Sequence, residues 1–203
     1  MKRFGIDIKP HNIEFITIDK ELNNSLDPKN YPSFTMIWQA LAFMKVCVLS
    51  VSMSPCDIFV DTMGVGFSYP LIKLLFGTKV YSYTHYPFIS RDMLATVQSG
   101  KAQYNNKNAD NLVKKNIKLV YYWVIYWFYK FCGMFADEVA ANSSWTREHM
   151  DELWDKQDKI QTIYPPCDTS DFINRISLDP KKRLNMMISF AQFRPEKQHY
   201  LQL

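Results

Sequence analysis

Ile188-Ser-Phe-Ala-Gln-Phe-Arg-Pro-Glu-Lys197 lies near the end of a 203-residue chain. Residues 186–191 read as a short apolar strand, and a loop with two cations, Arg194 and Lys197, follows it. Pro195 comes next to Arg194, and residues 197–203 read as helical. A strand, a basic loop and a helix start together suit an anion, because helix N-terminal N–H groups and the macrodipole favour negative charge. Arginine grips phosphate oxygens in a fork, and lysine adds a compact point charge. By composition alone, Arg-Pro-Glu-Lys is also what a solvated loop with a surface charge cluster would show.

Working back from that stretch, short β-rich runs alternate with helical ones. Ile58-Phe-Val-Asp61, Lys79-Val-Tyr-Ser-Tyr83, Asp137-Glu-Val-Ala-Ala141 and Ile160-Gln-Thr-Ile163 read as strands. Pro70 stands early in one intervening helix and Gly77 ends it. Ser90 caps a second helix through about residue 98, and Ser143 or Ser144 caps a third to about Trp154. This alternation predicts an α/β fold with a largely parallel sheet and helices on both faces. Ile13-Glu-Phe-Ile-Thr-Ile18 reads as a further strand, residues 19–31 as a loop and residues 35–52 as a buried helix. A membrane span is the alternative for 35–52, weakened by Gln39, Lys45 and the serines. Residues 100–116, rich in Asn and Lys, read as a surface loop. Pro165-Pro166 cannot continue a central strand, and the polar stretch 169–183 reads as a linker. The expected domains are therefore 1–168, a linker at 169–183, and a second unit beginning at 184–203.

Composition narrows the class. Hydrophobic residues are 47% of the chain, enough for a packed core. A net charge of +4 suits an anionic ligand or a membrane surface, and is too weak to argue for nucleic acid. Cys47, Cys56, Cys132 and Cys167 form no Cys-x-x-Cys pair and no cluster with histidine, so no metal site is expected. Scattered cysteines suggest reduced thiols. The start of the chain lacks the apolar stretch of a signal peptide.

A second stretch stands out: Leu119-Val-Tyr-Tyr-Trp-Val-Ile-Tyr-Trp-Phe-Tyr-Lys-Phe-Cys-Gly-Met-Phe135, with nine aromatics in 17 residues. Its uncharged part is too short to span a bilayer. Trp and Tyr favour the membrane interface, and Lys114, Lys115 and Lys118 precede the run. The reading is a helix that packs one face in the fold and dips the other into a membrane surface, against the alternative of an ordinary aromatic core helix.

The candidate site residues stand where strands end. Residues 62–66, with Gly64 and Gly66, form the loop at the carboxyl edge of a strand, where ligands of α/β sheets collect. The competing reading is a tight turn. His85 directly follows a strand, and an imidazole there could hydrogen-bond a ligand's hydroxyls or be merely structural. Asn142-Ser143-Ser144 matches a glycosylation sequon, which matters only in a secretory lumen.

Ser189-Phe-Ala-Gln-Phe-Arg-Pro-Glu-Lys197 resembles the opening of the second domain in retaining GT-B glycosyltransferases that use nucleotide sugars. Thr84-His-Tyr-Pro-Phe-Ile-Ser90, Asn142-Ser-Ser-Trp-Thr146 and Tyr164-Pro-Pro-Cys-Asp168 stand upstream in the order seen in one branch. From about residue 58 onward, the chain is similar to the GDP-mannose-dependent α-1,2-mannosyltransferases of the dolichol-linked oligosaccharide pathway. The resemblance implies a GT-B fold whose N-terminal Rossmann-like domain here lacks its first strand and Gly-rich loop, followed by the start of the second domain. It implies that Arg194 and Lys197 hold the diphosphate of GDP-mannose without metal or cofactor. His85 would lie near the transferred sugar and the acceptor, with Gly64 and Ser143 as further substrate contacts. It implies a dolichol-linked oligosaccharide acceptor, the cytosolic face of the endoplasmic reticulum membrane, and other mannosyltransferases of the pathway as partners. It also implies a partial sequence without the family's paired glutamates, inactive in isolation. The rival from another class is a non-catalytic α/β module that binds membranes without nucleotide dependence.

Overall fold

The computed structural model describes residues 13–99, 112–156, 159–167, 169–175, 177, 179–182, 184–193, 197 and 199–201. Four strands, β1 (Ile58–Asp61), β2 (Lys79–Thr84), β3 (Glu138–Ala141) and β4 (Ile160–Thr162), form one parallel sheet in the order β1-β2-β3-β4. Register runs through Val60↔Tyr81, Tyr81↔Glu138 and Val139↔Ile160. Before the sheet come α1 (Lys20–Asn24) and α2 (Thr35–Met53). Between its strands lie α3 (Tyr69–Phe76), α4 (Arg91–Ser99), α5 (Leu112–Gly133) and α6 (Ser144–Trp154), and α7 (Ser170–Arg175) follows. The chain is thus an α/β fold of the Rossmann-like kind.

The helix boundaries follow local chemistry. Pro70 occupies the first turn of α3, where its missing N–H costs nothing, and Gly77 closes the helix in the left-handed region. The Ser90 hydroxyl accepts from Met93 N at 3.4 Å at the start of α4. Ser143, with extended backbone, caps α6 by accepting from Thr146 N at 3.1 Å. In α2 no side chain of the helix itself supplies the cap. The phenol oxygen of Tyr121 on α5 accepts from Met36 N (3.0 Å) and Ile37 N (3.3 Å) instead.

All the packed helices lie on one side of the sheet. Val80, Ser82, Thr84, Val139, Ala141 and Ile160 are buried beneath them. On that face Tyr69 of α3, Tyr129 of α5 and Trp154 of α6 stack together, with ring centroids 5.3–5.9 Å from Trp154. The alternate strand positions, Val60, Tyr81, Tyr83 and Ala140, are exposed or half-buried. The expectation of helices on both faces is corrected by this arrangement. The strands lie in sequence order, so each crossover steps the same way, and right-handed crossovers then put every helix on one side.

Four other expectations also change. Residues 13–18 form no strand and are largely exposed: they pair with neither β1 nor any other strand among the described residues. Residues 186–191 likewise form no strand: Met187 is 97% and Phe190 fully exposed, and an apolar run without a pairing edge stays irregular. Residues 19–31 are not simply a loop, since α1 and a 3-10 turn at Pro28–Asn30 lie there. In the last stretch only a 3-10 turn, His199–Leu201, is formed among the described residues.

The two long helices differ in how they meet the core. On α5, Tyr122, Ile125, Tyr126, Tyr129 and Cys132 are buried, and burial pushes the Cys132 thiol up to about 12. Val120, Trp123, Val124, Trp127 and Phe131 form the opposite, exposed stripe. The helix begins at Leu112, so residues 112–116 are helical rather than loop, while 100–111 lie outside the described residues. On α2 only Ala40, Ala42 and Val51 are buried, which corrects the reading of a buried helix. It packs one side, with Met36, Ile37, Met44 and Val48 half-buried against the core, and leaves Trp38, Leu41 and Leu49 outward. By length and composition alone it could cross a membrane.

Candidate functional site

The carboxyl ends of β1, β2 and β3 converge on three loops: 62–66, 85–90 and 142–143. The first is tied down by Asp61. Its carboxylate accepts from Met63 N (2.8 Å), Gly64 N (3.1 Å) and Val65 N (2.9 Å), and the Tyr69 hydroxyl lies 2.8 Å away. A hydroxyl chain continues beneath, from Tyr69 to Ser82 (2.8 Å) and on to Thr84 (3.1 Å). Burial, and then the negative charge of Asp61, push the Tyr69 phenol well above its ordinary range, so it is a neutral donor here.

Gly64 is fully engaged inside the protein. Its N–H goes to Asp61, and its carbonyl accepts from Tyr129 OH at 2.5 Å. The loop therefore presents Gly64 as a close-packing position under Thr84 and Tyr129. The Gly64 N–H is taken by Asp61 and does not point to a ligand.

His85 and Ser143 do come together. Ser143 Oγ donates to Thr146 Oγ1 (3.0 Å), which donates to the His85 carbonyl (3.0 Å). The backbone of Asn142 donates to the Thr84 carbonyl at 3.1 Å, and its side-chain amide lies 3.3 Å from His85 Nδ1. The His85 ring is exposed and stands edge-on to Tyr83 at 5.2 Å. Its Nε2 has no hydrogen-bond partner among the described residues and is open to a hydroxyl that donates or accepts. The Ser143 hydroxyl, by contrast, is used as a helix cap.

Beside this pair is a group that sequence reading passed over. Tyr86 stacks on Trp145 at 5.3 Å and 15°, and Trp145 packs on His149 at 4.4 Å. His149 Nε2 lies 3.0 Å from Asp92 Oδ2, and its Nδ1 is 2.9 Å from the Trp145 carbonyl. Burial works against the imidazolium, but these two acceptors outweigh it and raise the pKa above the usual histidine value. The available signal was periodic: Trp145 and His149 are four apart on a helix whose cap was recognised.

Lys197 is exposed, and Arg194 lies outside the described residues. The structure therefore brings His85 and Ser143 together near Gly64's loop. Among the described residues, no three His, Cys, Asp or Glu side chains are grouped to hold a metal ion.

The sequence profile described as "ALG11 mannosyltransferase N-terminus" matches residues 1–154. The chain belongs to this family. Members of the mannosyltransferase family resemble it over almost its whole length. The chain is 36% identical to the "GDP-Man:Man(3)GlcNAc(2)-PP-Dol alpha-1,2-mannosyltransferase" of Xenopus laevis, across 99% of this chain and 41% of that protein. Proteins of the same name from Kluyveromyces lactis (36% identity, 98% of this chain, 34% of that protein) and Homo sapiens (35%, 100% and 41%) are also similar. The chain thus spans about two-fifths or less of the length of these mannosyltransferase relatives. No solved structure gives a significant match.

Proposed function

We propose that this chain is the acceptor-side part of an enzyme that transfers mannose from GDP-mannose, in α-1,2 linkage, to a dolichol-diphosphate-linked oligosaccharide. The observation that carries the reading is the similarity, over nearly the full chain, to mannosyltransferases whose names specify that donor and that acceptor. The exposed His85 imidazole at the carboxyl edge supports it, since parallel α/β sheets bind ligands there.

In the proposed reaction, the bond from the anomeric carbon to the GDP diphosphate breaks and a bond to an acceptor hydroxyl oxygen forms, with retention, the hydroxyl proton passing to the departing diphosphate. Negative charge gathers on the leaving diphosphate as the sugar gains oxocarbenium character. Arg194 and Lys197 would tighten on it at that moment, lowering the barrier without metal. Replacing Arg194 by Ala removes a forked, charge-assisted contact worth roughly 1.5–3 kcal/mol, so turnover should fall about ten- to a hundredfold. Lys197→Ala should act alike, and the double variant should be less than additive because both grip one diphosphate. The check is mannose transfer to a lipid-linked acceptor by the enzyme containing this chain, with and without EDTA. Undiminished transfer by the Arg194/Lys197 double variant, or loss of wild-type transfer in EDTA, would overturn the assignment.

We further propose that the exposed stripe of α5 rests on the cytosolic surface of the endoplasmic reticulum membrane, where a dolichol-linked acceptor is reached. Trp123, Trp127, Phe128 and Phe131 are all exposed, and Lys130 lies 5.7 Å from the Trp127 ring, a cation at the edge of the stripe. Other mannosyltransferases of the pathway are the partners this location would offer. Replacing Trp123, Trp127 and Phe131 together by Ser should shift the protein from the microsomal pellet to the supernatant. Unchanged sedimentation would remove α5 from the membrane contact.

A further inference from the structure

The Tyr86–Trp145–His149 group has no role in the core. Trp145 is 53% and Tyr86 37% exposed, so neither ring is there to be buried. Single exposed aromatics are ordinary, but three rings mutually packed within 6.1 Å at the surface are not scattered residues. Each is also held in place. The Tyr86 hydroxyl bonds Ser90 Oγ at 3.0 Å. Trp145 sits in the first turn of α6, backed by an imidazole that Asp92 and the Trp145 carbonyl fix at both nitrogens. The rings are preorganised, so a ligand that lands on them loses little freedom of theirs.

The position is equally specific. Tyr86 directly follows His85, and Trp145 lies two residues after Ser143. Both rings thus follow directly on the carboxyl ends of β2 and β3, as His85 and Ser143 do. An aromatic face carries negative charge density, and the axial C–H bonds of a pyranose carry the complement, while the sugar's hydroxyls point sideways to polar neighbours. The exposed outer face of this stacked pair is chemistry suited to a sugar ring.

We propose that Tyr86 and Trp145 form a stacking platform for a pyranose of the acceptor oligosaccharide. This rests on the mannosyl-transfer reading given above. A donor mannose is the other source of a pyranose, but the proposed grip on the donor diphosphate belongs to Arg194 and Lys197, which lie on a different segment from α6. The platform is left to the acceptor glycan. Recognition there is of the sugar and not of the lipid.

The test has a kinetic and a binding arm. In the enzyme containing this chain, Trp145→Ala should raise KM about tenfold for Man3GlcNAc2 carried on a short isoprenoid diphosphate, given the stacking and area lost. KM for GDP-mannose should stay unchanged. Trp145→Phe should recover part of the loss, and Tyr86→Ala should show it again, so the test survives if Trp145→Ala does not fold. In the second arm, free Man3GlcNAc2 without lipid should give saturation-transfer NMR signals from its ring protons with the wild type, lost in Trp145→Ala. If the wild type transfers no mannose, the mannosyl-transfer reading fails, and the NMR arm alone decides the platform. If transfer is normal and acceptor KM moves less than twofold, or only GDP-mannose KM rises, or free glycan binds wild type and variant alike, the platform is overturned.

Discussion

Trp154→Ala should lower the unfolding free energy by about 3–5 kcal/mol, as truncations of large buried aromatics do. Trp154 ends α6 and is almost completely buried. Its indole packs against Tyr69 of α3 at 5.9 Å and Tyr129 of α5 at 5.3 Å. The α5 backbone comes so close that a Cβ on Gly133 would stand 2.2 Å from the ring. Three helices thus meet on one side chain, and none of them can close the void that alanine would leave. The indole also bears a cost, since its Nε1 is buried with no acceptor among the described residues. An orphaned donor of this kind costs about 1–3 kcal/mol. Trp154→Phe, which drops the donor and keeps most of the ring, should therefore cost far less than the alanine change. Urea unfolding followed by circular dichroism would measure both. An alanine variant as stable as the wild type would mean that α3, α5 and α6 do not converge there.

Gly64→Ala should destabilise the chain by about 2–5 kcal/mol, from two separable causes. Its φ is +72°, a left-handed conformation that costs an L-residue about 1–2 kcal/mol. Its Cβ would stand 2.3 Å from Thr84 Oγ1, and Thr84 is fully buried and cannot swing away. Such overpacking adds about 1–3 kcal/mol. Gly77 is the internal control: its φ is +67°, but nothing lies within 4 Å of a Cβ there. Gly77→Ala should show the conformational part alone. If the two alanine variants unfold at the same urea concentration, the close approach of the 62–66 loop to β2 is wrong. Loss of transfer by Gly64→Ala should then be read as loss of fold, since Gly64's N–H and carbonyl already serve Asp61 and Tyr129.

Much of the fold was legible because its signals are local. Ile58-Phe-Val-Asp61 and Lys79-Val-Tyr-Ser-Tyr83 are short, β-rich and bounded by turn residues, and they pair as expected, β2 running one residue further to Thr84. Pro70, Gly77, Ser90 and Ser143 each act within one turn of their own position, so helix starts and stops could be read residue by residue. The two-sided character of α5 was equally present in its spacing, as the burial of Tyr122, Tyr126 and Tyr129 against the exposure of Trp123 and Trp127 shows.

The misreadings came from features that no local pattern carries. Residues 13–18 and 186–191 have strand composition, yet a strand exists only where a neighbour offers its edge. The apolar run of α2 suggested burial, but burial depends on what packs against a helix, and here only one side of α2 finds a surface.

By itself, the sequence determined the α/β class, the parallel alternation, the caps and the mannosyltransferase kinship, because periodicity, capping and motif order are properties of neighbours along the chain. Tertiary structure alone decided which face of the sheet is covered, that Tyr121 rather than a residue of α2 caps that helix, and that Gly64 is a packing position. It alone set Tyr86 against Trp145, 59 positions apart, with Asp92 holding the histidine behind them. Those outcomes depend on contacts between distant segments, whose energies are fixed by distance in space and leave no mark in the order of residues.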